Sequence, residues 1–233
     1  MPLVAERHLY LIRHGHCDRG GGAGSADKAG RRSARGPGLS DTGREQAQLT
    51  APALCGDPID AIHCSTLRRA EETANIIAAQ IPHVRVRRTR DLRECLPSVP
   101  TAFVRSQCPG LSTAEVHARL GADPAFAVEM ERRFLEAAGY EAGAVERGKA
   151  QCNRAFARFF TPAARSSRHE LLVAHGNILQ ELICRALGLD DRTWANLPAY
   201  QCGVTRVVIR GDGAMFLFSF NEVGHLPRNL RLF

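Results

Sequence analysis

The sequence predicts an α/β fold, a three-layer α/β/α sandwich with a mostly parallel central sheet. Three short apolar runs carry this expectation: LYLI at 9–12, IDAIHC at 59–64 and LLVA at 171–174. Each lacks clean polar alternation, as a strand buried on both faces does, and segments of helical period follow them. Strands alternating with helices imply parallel pairing with helices on both faces of the sheet. The 233 residues, 44% hydrophobic and 24% charged, suffice for one packed core, so a single domain over 1–233 is expected.

The first run delivers Arg13 and His14 at its carboxyl end. Residues 18–38, DRGGGAGSADKAGRRSARGPG, have almost nothing to bury and lack the order of a phosphate-binding P-loop. They read as a surface loop, either a lid that meets an anionic substrate or a plain flexible insertion. Thr42 with Glu45 three residues on has the capping-box pattern, which starts a helix running to about Leu54. The second run leads through Ser65 and Thr66 into a helix over 67–80. Ala70, Ala74, Ile77 and Ile81 recur there at helical spacing until Pro82 stops them. Arg69 falls in its first turn.

Val84 and Val86 alternate with arginines as a short strand, and DLREC at 91–95 carries Glu94 into a proline-punctuated stretch. Residues 125–160 have helical period, with Phe126, Met130 and Phe134 on one stripe and Phe156, Phe159 and Phe160 on a second piece. The third apolar run delivers His175 ahead of a helix over 177–187 that Gly188 ends. Residues 204–209 and 215–220, joined through Gly-Asp-Gly at 211–213, read as a hairpin. Open parallel sheets bind ligands at the carboxyl ends of their strands, the edge that His14, Arg69 and His175 share.

A net charge of +7 and a pI near 9.3 suit an anionic partner, whether nucleic acid, membrane surface or phosphorylated ligand. Lys28 and Lys149 are the only lysines, so nearly every cation is an arginine able to grip phosphate or carboxylate with two donors. Eight cysteines without a CxxC pair or Cys/His ligand spacing argue against zinc and for free thiols in a reducing compartment. His14-Gly15-His16 with Asp18 has no clear completion as a metal site. No signal-type run or stretch of about 20 apolar residues appears, so a soluble cytoplasmic protein without an integral membrane segment is expected.

Phosphoryl transfer needs fixed positive charge around the phosphoryl oxygens, a nucleophile in line, and a proton donor for the leaving oxygen. Arginine, histidine and glutamate supply these in turn. Four motifs occur in order: LIRHG at 11–15, STLRRAEETA at 65–74, LRE at 92–94 and LLVAHGN at 171–177. Together they resemble the histidine phosphatase superfamily, the phosphoglycerate-mutase-like family, from residue 8 to the end of the hairpin. The resemblance implies a metal-independent enzyme without cofactor. His14 is then the phosphorylated nucleophile, Arg13 and Arg69 clamp the phosphate, Glu94 is the general acid and base, and His175 contacts the phosphate. Arg68 competes with Arg69, but the family's arginine precedes Ala with Thr four residues beyond it, as Ala70 and Thr73 stand here.

Within the superfamily, DLRE, ICRALGL, VVIRGDG and GHLP resemble the mitochondrial serine/threonine protein phosphatases. That likeness implies a phosphoprotein substrate rather than nucleic acid, a mitochondrial association and a possible homodimer. The departures expected are the lack of an upstream membrane segment and of a Trp-Asp-rich assembly motif, beside a longer, glycine-richer loop after RHG. Two other readings stay open. A sugar or glycerate phosphate could be the substrate, with residues 85–90 (RVRRTR) gripping a second phosphate, or the domain could bind phosphoproteins without turnover.

Overall fold

The computed structural model describes residues 5–17, 35–54, 56–81, 83–190 and 192–233. Strands β1 (Arg7–Arg13), β2 (Ala61–Ser65), β3 (Val86–Thr89), β4 (Arg168–Ala174), β5 (Val204–Ile209) and β6 (Met215–Glu222) form one sheet in the order β3-β2-β4-β1-β5-β6. The first four of that order run parallel, while β5 and β6 are antiparallel to their neighbours. The helices are α1 (Asp41–Thr50), α2 (Arg68–Ala78), α3 (Thr101–Gln107), α4 (Thr113–Ala122), α5 (Pro124–Ala138), α6 (Ala144–Phe159) and α7 (Gly176–Ala186).

Successive residues of a strand face opposite sides, so each doubly buried run feeds two cores. Leu9, Leu11, Leu172 and Ala174 pack with Phe159 of α6 and Ile178 and Leu182 of α7. Tyr10, Ile12, Leu171 and Val173 pack with Ala70, Ala74 and Ile77 of α2. Each such leucine, isoleucine or phenylalanine contributes about 1.5–3 kcal/mol by leaving water. Among the described residues no helix is long and apolar enough to cross a membrane.

Three differences from the sequence reading have local causes. Ser40 caps α1, its hydroxyl accepting from the Gly43 amide, so Thr42 lies inside the helix rather than at its cap. The proline-punctuated stretch holds α3 and α4, which with α5 enclose a separate apolar cluster of Val104, Val116, Leu120 and Met130. The helical stretch of 125–160 divides at Gly139, whose left-handed φ of 70° ends α5. Residues 18–34 of the proposed loop at 18–38, and the Pro82 stop, lie outside the described residues.

Helix α6 fixes the segment that carries Glu94. Gln151 Nε2 donates to the Arg93 carbonyl at 2.6 Å and to that of Asp91 at 3.3 Å. A methyl group on Gly148 would overlap the Leu96 carbonyl oxygen, so only glycine permits this approach. Gly148→Ala is therefore expected to cost about 1–3 kcal/mol in denaturant unfolding through overpacking. Unchanged stability would show that the segment yields freely.

Candidate active site

The parallel pairing aligns Arg13 with Ala174 and continues through the His14 amide, which donates to the Ala174 carbonyl at 2.9 Å. His14 and His175 thus leave adjacent strands side by side, with ring centroids 5.0 Å apart. Both are buried, His14 at 3% exposure and His175 at 0%.

The hydrogen bonds assign the His14 tautomer. Nδ1 lies 2.7 Å from the Gly15 carbonyl oxygen, an acceptor, so Nδ1 holds the proton. Nε2 keeps its lone pair and accepts from Arg69 Nε at 2.9 Å. Thr73 supports the same corner: its hydroxyl donates to the Arg69 carbonyl at 2.8 Å and accepts from the Gly15 amide at 3.1 Å. Arg68, one residue earlier, points away to Glu72 at 2.7 Å and is exposed. Of the two competing arginines, only Arg69 reaches His14.

His175 is held well below its ordinary pKa, first by burial and then by His14, Arg69, Arg13 and Arg93. It is neutral at pH 7, so its tautomer decides what it can donate. Ser65 Oγ lies 2.8 Å from His175 Nε2 and accepts from the Leu67 amide at 3.1 Å. Ser65 thus holds Nε2, while Nδ1 has no hydrogen-bond partner among the described residues and is left for a ligand.

Arg13 donates to the Ala199 carbonyl and lines a cleft of about 440 Å³ together with Glu94, Gly176, Asn177 and Gln180. His14, which follows Arg13 in the chain, is buried and does not itself line this cleft. Glu94 opens toward it, and Asn177 Nδ2 anchors the adjoining backbone by donating to the Cys95 carbonyl at 3.1 Å. Burial raises the Glu94 carboxyl to about 7, against the pull of Arg69, the Cys95 amide, Arg13 and the Ile178 amide. Water in the cleft moderates that rise, and a bound ester that expels it restores the rise. The first turns of α2 and α7 also lie at this edge, and helix N-termini favour negative charge.

The sequence profile of the histidine phosphatase superfamily (branch 1) matches residues 9–222. The chain belongs to that superfamily. It is 29% identical over 230 residues to "Serine/threonine-protein phosphatase Pgam5, mitochondrial" of Caenorhabditis briggsae, covering 97% of this chain and 66% of that protein. It is also 29% identical to the human protein of that name, covering 96% and 65%. The chain thus spans slightly less than two thirds of the length of these relatives. Among solved structures, the alpha-ribazole phosphatase of Shigella flexneri superposes with a TM-score of 0.62 at 19% identity, over 92% of this chain and 96% of that one. Phosphoserine phosphatase from Entamoeba histolytica, solved with phosphoserine, gives 0.58 at 21% identity, over 95% and 100%. These superpositions carry the phosphoglycerate-mutase-like fold.

The structure brings Arg13, His14, Arg69, Glu94 and His175 to one edge of the sheet. His16, from the alternative metal reading, turns instead to Ser40 Oγ at 2.7 Å, and Asp18 lies outside the described residues. Ser65, Asn177 and Gln151 were not singled out by sequence. Ser65 could have been, because a hydroxyl directly after an apolar strand at the binding edge is a local signal. Gln151 could not, because its partners lie about 60 positions away in the chain.

The Glu94 carboxyl is expected to titrate above the ordinary carboxylate range in ¹³C NMR, and higher still when a bound ester covers the cleft. A midpoint near the ordinary 4.3 would mean that solvent dominates the cleft.

Proposed function

We propose that this chain is a phosphomonoester hydrolase acting through a phosphohistidine, with serine/threonine phosphoproteins as substrates. The observation that carries the reading is the His14 Nε2 lone pair, held by Arg69 beside a cleft that Glu94 lines. The relatives named as serine/threonine-protein phosphatases support the choice of substrate.

His14 Nε2 attacks phosphorus in line, and the bond to the ester oxygen breaks as Glu94 gives that oxygen its proton. Arg69 passes from Nε2 to a phosphoryl oxygen, with Arg13 and His175 Nδ1–H as further donors, where charge develops. Glu94, now a carboxylate, takes a proton from water as that water attacks the phosphohistidine. The products are inorganic phosphate and free His14. The carboxyl that begins the cycle must be protonated, so a raised pKa favours the first step and opposes the second. Turnover of esters with poor leaving groups should therefore fall as pH rises past about 7.

His14→Ala is expected to abolish turnover, and wild-type rates in that variant would remove the nucleophile assignment. Glu94→Gln should slow alkyl phosphates far more than p-nitrophenyl phosphate, because only the former need a proton on departure. Equal losses would assign Glu94 to binding. Substrate class is tested by comparing a phosphothreonine peptide with sugar and glycerate phosphates in the presence of chelator. Preference for one small ester by about tenfold in kcat/KM, or about 1.4 kcal/mol in transition-state binding, would move the enzyme to small-molecule chemistry.

A further inference from the structure

Building on the phosphoprotein reading, we propose that the arginines along β3 form a docking strip for an acidic segment adjoining the phosphorylated residue of a protein substrate. Among the described residues, strand β3 ends the sheet and pairs only with β2. Arg87 is exposed on it, as are Arg85 just before it and Arg90 just after it, and Arg93, half-buried, follows in the chain.

The arginines of this row differ from most others in what surrounds them. Many others have a carboxylate on the guanidinium group: Arg132 with Glu129 and Glu136, Arg68 with Glu72, Arg7 with Glu170, Arg185 with Glu181. Within the row, Arg88 is likewise held by Glu71 at 2.9 Å. Arg85, Arg87, Arg90 and Arg93 have no ion-pair partner among the described residues. The nearby acid that could serve them, Asp91, is already taken by Arg154 and Arg158 of α6, each at 3.3 Å. Four cations within nine positions of the chain thus lack a carboxylate partner among the described residues, and an arriving anion would relieve any repulsion between them.

The row also leads to the site. Thr89 of β3 pairs with Ser65 of β2, the residue in contact with His175. Adjacent strands lie about 4.8 Å apart, so the strip begins one strand away from the chemistry. At its inner end, the charge of Arg93 bears on His175 itself. Alternate residues of a strand are roughly 6.6 Å apart, so Arg87 in β3 and Arg85 just ahead of it suit an extended peptide with acids at every second position. Guanidinium groups bind such carboxylates with paired donors.

The test uses phosphothreonine peptides flanked by aspartate and glutamate, by alanine or by lysine, with p-nitrophenyl phosphate as the small ester. Wild type is compared with the Arg85→Gln/Arg87→Gln/Arg90→Gln variant at low and high salt. Wild type should favour the acidic peptide by about tenfold in kcat/KM, mainly through KM, as three screened exposed ion pairs allow. Salt and the triple substitution should each erase that preference, while p-nitrophenyl phosphate turnover stays unchanged and reports an intact fold. Equal hydrolysis of all three peptides by wild type, or a preference that survives the substitution, overturns the strip and leaves the phosphoprotein reading standing. A variant that instead loses turnover of a sugar bisphosphate but not of the monophosphate also overturns it, assigning the arginines to a metabolite's second phosphate. Failure of wild type to hydrolyse any of the peptides removes the underlying reading and the strip with it.

Discussion

The parallel register of β1 against β4 is the constraint from which the site follows. With Arg13 opposite Ala174, the next residue on each strand is a histidine, and the two rings meet at 5.0 Å. A slip by one residue would reverse the facing of every side chain on β1, sending Leu9 and Leu11 toward α2 and Tyr10 and Ile12 toward α6 and α7. Burial of both faces therefore holds the register, and the register holds the chemistry. The energy that keeps His14 beside His175 is apolar and lies in side chains that never meet a substrate.

Charge in the site is arranged by contrast. Arg13 and Arg69 hold permanent positive charge, whereas His175 is kept neutral by burial and by those same arginines. Where the Glu94 carboxyl is shut off from water, desolvation outweighs their pull. A neutral histidine, a carboxyl with a raised pKa and fixed cations can thus coexist at one edge of the sheet. Ser65 adds a refinement at small energetic cost, since one hydroxyl orients the protons of a buried imidazole.

Much of this was legible in the sequence because the signals were local. An apolar run followed by Arg13 and His14, or by His175, states both a strand and what its end presents. The preference for Arg69 over Arg68 was also local, resting on Ala70 and Thr73, and Thr73 proves to bridge Arg69 and Gly15. The cap of α1 was misplaced because Thr42 and Glu45 imitate a box, whereas Ser40, two residues earlier, makes the bond. Helices α3 and α4 escaped because they bury their apolar residues against α5, a surface that no pattern within them reveals. Gln151 and Gly148 act on the Glu94 segment from far along the chain, and single-sequence periodicity has no access to such pairings.

The two antiparallel strands reverse the direction of the chain at one side of the sheet. As a result the tight turn between β5 and β6, with Gly213 at a φ of 87°, lies on the rim opposite His14 and His175. Exposed loop tips are where chains accept added sequence most readily. A tether grafted between Arg210 and Ala214 would anchor the protein to a solid support with its cleft facing outward, so that large phosphorylated macromolecules could approach it unhindered.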